Sequence, residues 1–126
     1  MYEKSIDKIK MSLEYYFVFH SDSDRRALEE KGVNIHNMVC VDIKGDGMTP
    51  TIKDGDCVLI DKDKTELEEG KIFMFKHNEQ NIVRRVNRGN NKTVILQRDN
   101  EAYPSRTVKE SDIDIFGKVV GVVEKQ

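Results

Sequence analysis

From Val39 onward the chain alternates: Val39, Val41 and Ile43 are apolar, and Cys40, Asp42 and Lys44 stand between them. A period of two is the signature of a strand that buries one face. Further strand-like runs follow at 57–60, 71–76, 81–86, 93–97 and 113–123. Polar turn residues separate them: 66–70, His77-Asn78-Glu79-Gln80, and Arg88-Gly89-Asn90-Asn91-Lys92, whose Gly and Asn tolerate positive φ. Residues 98–111 read as a polar connection, and 45–56 as a turn-rich segment with room for one helical turn near 49–53. The pattern predicts a mostly β fold, a strongly bent sheet with few short helices.

Helical signals are confined to the first third. Ile6, Ile9, Leu13 and Tyr16/Phe17 recur at three-to-four spacing, which predicts an amphipathic helix over 5–17. The β-branched and aromatic content of 15–19 also suits a strand. Ser21-Asp22-Ser23-Asp24 supplies N-caps for a short helix over 25–31, closed by Gly32. The change of pattern divides the chain into an N-terminal arm or linker remnant, 1–20, and one domain, 21–126.

A length of 126 residues fits one domain with its own core. Twenty-one basic and 23 acidic residues leave a net charge of −2, so no global field draws the chain to nucleic acid or to an acidic membrane. No apolar run is long enough to span a bilayer, and the start lacks a signal-peptide layout. Two cysteines, Cys40 and Cys57, make no disulfide framework and read as reduced, half-buried thiols. A cytoplasmic location is the expectation.

The segment Val41 to Asp56, containing Gly45-Asp46-Gly47-Met48-Thr49-Pro50-Thr51-Ile52-Lys53-Asp54-Gly55-Asp56, resembles the nucleophile segment of the LexA and phage-repressor self-cleaving peptidases. That segment reads G-D-S-M-x-P-T-I-x-D-G-D. Three further stretches resemble the family in the same order: 24–38, before the nucleophile strand; Leu96, Asn100, Tyr103 and Pro104, as in L-x-x-x-N-x-x-Y-P; and Gly117-Lys118-Val119-Val120-Gly121, as in the closing strand. The order across roughly 24–124 carries the match. The resemblance implies the family's β-rich peptidase fold.

It also implies a serine–lysine dyad, and here both positions differ. The serine position is Gly47, which has no side chain to attack with. The lysine position, in a motif resembling V-K-R-L, is Arg84 within Val83-Arg84-Arg85-Val86. Lysine can serve as a base because burial lowers its pKa by several units, whereas a guanidinium holds its proton. A scissile small-residue pair upstream is also missing, since the only preceding alanine, Ala27, sits in the expected helix. One engineered substitution would explain Gly47 but not Arg84. The expectation is a non-enzyme: no catalytic residue, with Gly47 and Arg84 as vestigial positions, no cofactor and no metal.

By the same resemblance, the chain is expected to be the dimerisation and regulatory domain of a phage-type transcriptional repressor. It would form a homodimer or higher homo-oligomer through the 113–123 strand or the N-terminal segment. DNA would be reached only through a helix-turn-helix domain absent from this sequence, an antirepressor protein is a possible partner, and no membrane is involved. A peptidase domain inactivated by engineering and a stand-alone antirepressor-like module are the alternatives. Ser21, Ser23, Ser105, Ser111, Lys44 and Lys76 offer hydroxyls and amines outside the motif positions.

Other charged residues have plain readings. Arg84, Arg85, Arg88, Lys92 and Arg98 form the most basic stretch, read as solvated charges, with Arg84 able to pair with Asp46 or another carboxylate. Asp46, Asp54, Asp56 and Asp61 lack the alternation of a calcium loop and read as turn residues. His20, His36 and His77 have no ligand partner in the sequence and read as surface residues.

Overall fold

The computed structural model describes residues 9–10, 18–19 and 38–123. They form one branched antiparallel sheet of nine strands: β1 (Ile9–Lys10), β2 (Val18–Phe19), β3 (Met38–Asp42), β4 (Cys57–Asp61), β5 (Ile72–His77), β6 (Gln80–Arg88), β7 (Thr93–Gln97), β8 (Arg106–Lys109) and β9 (Asp114–Val123). The mostly β expectation therefore holds. Among the described residues no helix is long and apolar enough to cross a membrane.

β9 is the branch point. Its first half pairs with β5 and its second half with β4, so that Lys118 has Phe73 opposite it on one pairing and Asp61 on the other. β1 joins through Lys10 and Val122. Among the described residues β3 pairs only with β4, and the other limb runs β5-β6-β7-β8. Register shifts occur between Leu59 and Ile60 and between Met74 and Phe75, the bulges by which an antiparallel sheet bends. Gly117 sits at this junction because nothing larger fits. A Cβ there would lie 2.6 Å from the Asp61 carbonyl oxygen and 2.7 Å from Ile60 Cγ2.

The apolar run of β5 reflects burial on both faces. Ile72 and Met74 enter one cluster with Val39, Val41, Val58, Ile60 and Val119; Phe73 and Phe75 enter a second with Val86, Val94, Leu96 and Ile113. Full burial of a Phe or Ile side chain is worth about 1.5–3 kcal/mol, so these two clusters dominate the fold's stability.

Several expectations need correction. Ile9–Lys10 is a strand where the sequence predicted a helix over 5–17, while Val18–Phe19 follows the alternative strand reading. The rest of that helix, the helix at 25–31, His20, His36, Ser21 and Ser23 lie outside the described residues. The connection over 98–111 contains β8 and a 3-10 turn at Glu110–Asp112. β8 left no alternation in the sequence because only Val108 on it is buried. The 77–80 turn tightens to two residues, Asn78 and Glu79, at φ of 50° and 66°, with His77 and Gln80 already paired. The 88–92 turn forms as expected, with Asn91 and Lys92 in the left-handed region. β9 is an inner strand, so most of its main chain is committed; among the described residues β2, β3 and β8 have one neighbour each.

Both cysteines are fully buried rather than half-buried. Cys57 Sγ donates to the Asp42 carboxylate across the β3–β4 pair.

Candidate functional site

Two residues 37 positions apart meet in one cleft. Gly47 and Arg84 both line a cavity of about 630 Å³ together with Lys44, Gly45, Met48 and Asn81. The cleft lies between the 42–48 segment and the strand β6. Among the described residues lining it there is no serine, threonine or tyrosine hydroxyl. Lys44 is the one amine in its wall; Lys76 and the hydroxyls of Ser105 and Ser111 lie elsewhere.

The turn that carries Gly47 is held by local and distant hydrogen bonds. Ile52 N–H donates to the Met48 carbonyl at 2.9 Å, closing one helical turn, and the Thr49–Pro50 peptide is cis. The acidic residues of the segment cap backbone amides: Asp54 accepts from Gly45 N–H, and Asp56 from Lys53 N–H. Asp61 does the same for Asp63 N–H. These carboxylates are therefore turn residues, as the sequence suggested.

The stretch after β7 braces the turn from outside. Asn100 N–H donates to the Gly47 carbonyl at 3.0 Å, while Asn100 Nδ2 donates to the Asp46 carbonyl at 3.0 Å and to Thr49 Oγ1 at 3.2 Å. Tyr103 Oη donates to Asp46 Oδ1, and the negative partner raises the tyrosine's pKa. Thr51 Oγ1 donates to Asp99, which also receives a two-pronged bond from Arg85 Nε and Nη2 at 2.8 and 2.7 Å. That bond from Arg85 holds the Asp99 carboxyl below its ordinary pKa, with Thr51 adding to the effect against the opposing cost of burial.

Gly47 itself is not demanded by backbone geometry. Gly45, Gly55 and Gly70 have φ of 92°, 89° and 80°, but Gly47 is not among the residues with positive φ. Its constraint is a neighbour: a Cβ at position 47 would meet Arg98 Cδ at 3.1 Å. The Arg98 guanidinium continues over the Tyr103 ring, 4.6 Å from its centroid. An arginine stem thus covers the α-carbon where the resemblance puts a nucleophile.

Arg84 does not pair with Asp46, contrary to the expectation. Its Nη1 donates to the Val83 carbonyl at 2.7 Å, and it forms no ion pair among the described residues; Asp46 is taken by Tyr103. Burial, and the charge of Arg98, push the Arg84 pKa down to about 10. Even so lowered, the guanidinium keeps its proton at neutral pH. Arg85, on the opposite face, holds Asp99 and the Gly70 carbonyl, and Arg88 reaches the Leu67 carbonyl. His77 is buried, 8% exposed, rather than on the surface, with Nδ1 3.4 Å from the Asp112 carbonyl oxygen.

Sequence reasoning placed Gly47 and Arg84 in one site only through the resemblance. It missed Arg98 as the neighbour packed on Gly47, and Asn100 and Tyr103 as braces of the turn. A usable signal existed: the 88–92 hairpin turn brings Gln97 opposite Arg85, and so the next residue, Arg98, into the neighbourhood of Arg84.

A family model described as Peptidase S24-like matches residues 5–120 of the chain. No curated protein matches it.

Proposed function

Since this chain belongs to the Peptidase S24-like family, we propose that it is a non-catalytic member, serving as the pairing and regulatory domain of a phage-type transcriptional repressor. The observation that carries the reading is the shared cleft of Gly47 and Arg84. Acyl transfer by a serine–lysine pair needs a nucleophilic oxygen and an amine that can accept its proton. Gly47 supplies no oxygen, Arg84 remains charged, and no other hydroxyl lines the cleft among the described residues. The Arg98 stem over Gly47 supports a site now packed for another purpose.

Loss of cleavage would leave assembly as the domain's task. Pairing two protomers makes the second operator half-site contact intramolecular, which raises avidity without any new DNA contact. The strands β3 and β8, each with one neighbour, and Phe116, exposed to 39%, are the features that a partner protomer could use.

Mass spectrometry after prolonged incubation at alkaline pH tests the first part, with the intact mass expected. Any backbone cleavage would overturn it and turn attention to Lys44, the amine in the cleft wall. Restoring Gly47→Ser and Arg84→Lys together reports whether the cleft still supports the reaction. Sedimentation equilibrium tests pairing: a dimer or larger assembly is expected, and a monomer at high protein concentration would contradict it.

A further inference from the structure

On the other side of Arg84 lies a second cavity, of about 290 Å³, lined by Arg84, Arg98, Arg106, His77 and Ser105 among others. Among the described residues no aspartate or glutamate lines it. The three arginines come from three consecutive strands or their ends. Arg106 pairs with Leu96, two residues before Arg98, and Arg98, just past the end of β7, lies close enough to Arg84 for its charge to lower the Arg84 pKa. Like charges held close together repel one another. No carboxylate relieves them: Arg84, Arg98 and Arg106 form no ion pair among the described residues, and the nearby Asp46 is engaged by Tyr103. The cluster stands out in a chain whose net charge is −2.

We infer that this cavity binds a compact oxyanion of the phosphate class, held by the guanidiniums of Arg84, Arg98 and Arg106 with the Ser105 hydroxyl beside them. A tetrahedral dianion presents enough acceptor oxygens for three converging forks, whereas one carboxylate saturates a single fork. The cavity lies at the small end of the range for ligand pockets, which suits an anion or the phosphate end of a larger molecule. The low proton affinity of Arg84 points the same way, since it reflects buried positive charge facing positive charge. Arg106 lines this cavity and not the cleft with Gly47, so the inference does not rest on the loss of catalysis.

Calorimetric and NMR titrations with inorganic phosphate, pyrophosphate and adenosine 5′-monophosphate, at constant ionic strength set by KCl, test the inference. Saturable binding of phosphate or pyrophosphate supports a free anion as ligand; saturable binding of the ester alone supports a phosphate carried on a larger molecule. Arg106→Gln, on the exposed edge strand β8, should retain the fold and weaken binding at least tenfold. Arg98→Gln should do the same. Absence of saturable binding by all three probes, equal binding by the Arg106→Gln protein, or preference for citrate over every phosphate would overturn the assignment.

Discussion

The stem of Arg98 lies across the α-carbon of Gly47, so that a Cβ at position 47 would stand 3.1 Å from Arg98 Cδ. The contact couples the turn to the segment after β7. It is made by the flexible part of a side chain, not by backbone, and the φ of Gly47 is not in the left-handed region.

Gly47→Ala should therefore be tolerated, with Arg98 shifting by a few tenths of an ångström. The expected change in unfolding free energy is within about 1 kcal/mol, the sign depending on how freely Arg98 gives way. Urea denaturation measures it. A loss above about 3 kcal/mol would mean that Arg98 is locked in place.

Gly117→Ala should behave in the opposite way. The added methyl would meet the Asp61 carbonyl oxygen at 2.6 Å, at the point where β4, β5 and β9 converge. Backbone must move to relieve it, so a loss of about 2–4 kcal/mol is expected in the same assay. An unchanged midpoint would rule out the tight packing at this junction.

Asn100→Ala and Tyr103→Phe should loosen the Gly47 turn. The Asn100 side chain donates to the Asp46 carbonyl and to Thr49 Oγ1, and Tyr103 donates to the Asp46 carboxylate. Asn100→Ala should cost about 0.5–1.5 kcal/mol, a typical net hydrogen-bond contribution, and the loss in Tyr103→Phe, whose bond is exposed to solvent, should be smaller. Amide exchange in the 45–50 segment should accelerate in both variants; unchanged exchange would show that the turn stands without its braces.

Acid should act through Asp99. Its pKa is lowered in the folded protein, first by the bond from Arg85. Below about pH 4 the unfolded chain takes up a proton at Asp99 that the folded protein does not, so protons favour unfolding. The stabilisation is complete above the unfolded pKa and is lost as pH falls through the folded one. Asp99→Asn should be less stable at pH 7 by about 1–2 kcal/mol and show a shallower acid decline. Identical pH profiles for the two proteins would remove Asp99 from the account.

Much of the fold was legible because strand burial writes a local pattern. β3 to β7 and β9 each carry an apolar alternation or run, and the Gly and Asn turns between them mark their ends. β8 was not legible, because an edge strand with one buried residue has no pattern to show. The burial of His77 was also hidden, since a single polar residue at a strand end looks the same whether the Glu110–Asp112 turn covers it or not. Gly47 and Arg84 were legible as positions in an ordered resemblance, not as neighbours.

What the sequence by itself determined is the chemistry available at each position: no oxygen at Gly47, a strongly basic guanidinium at Arg84, and enough patterned apolar residues for a bent sheet. What only the tertiary structure decided is which groups face each other. Arg98 covers Gly47 and lies close to Arg84, Asp46 goes to Tyr103 rather than to an arginine, and three arginines line one cavity. Residue identity is a local property that folding leaves unchanged. Contact between residues some fifty positions apart depends on register, bulges and the bend of the sheet, and these are set by packing of the whole domain.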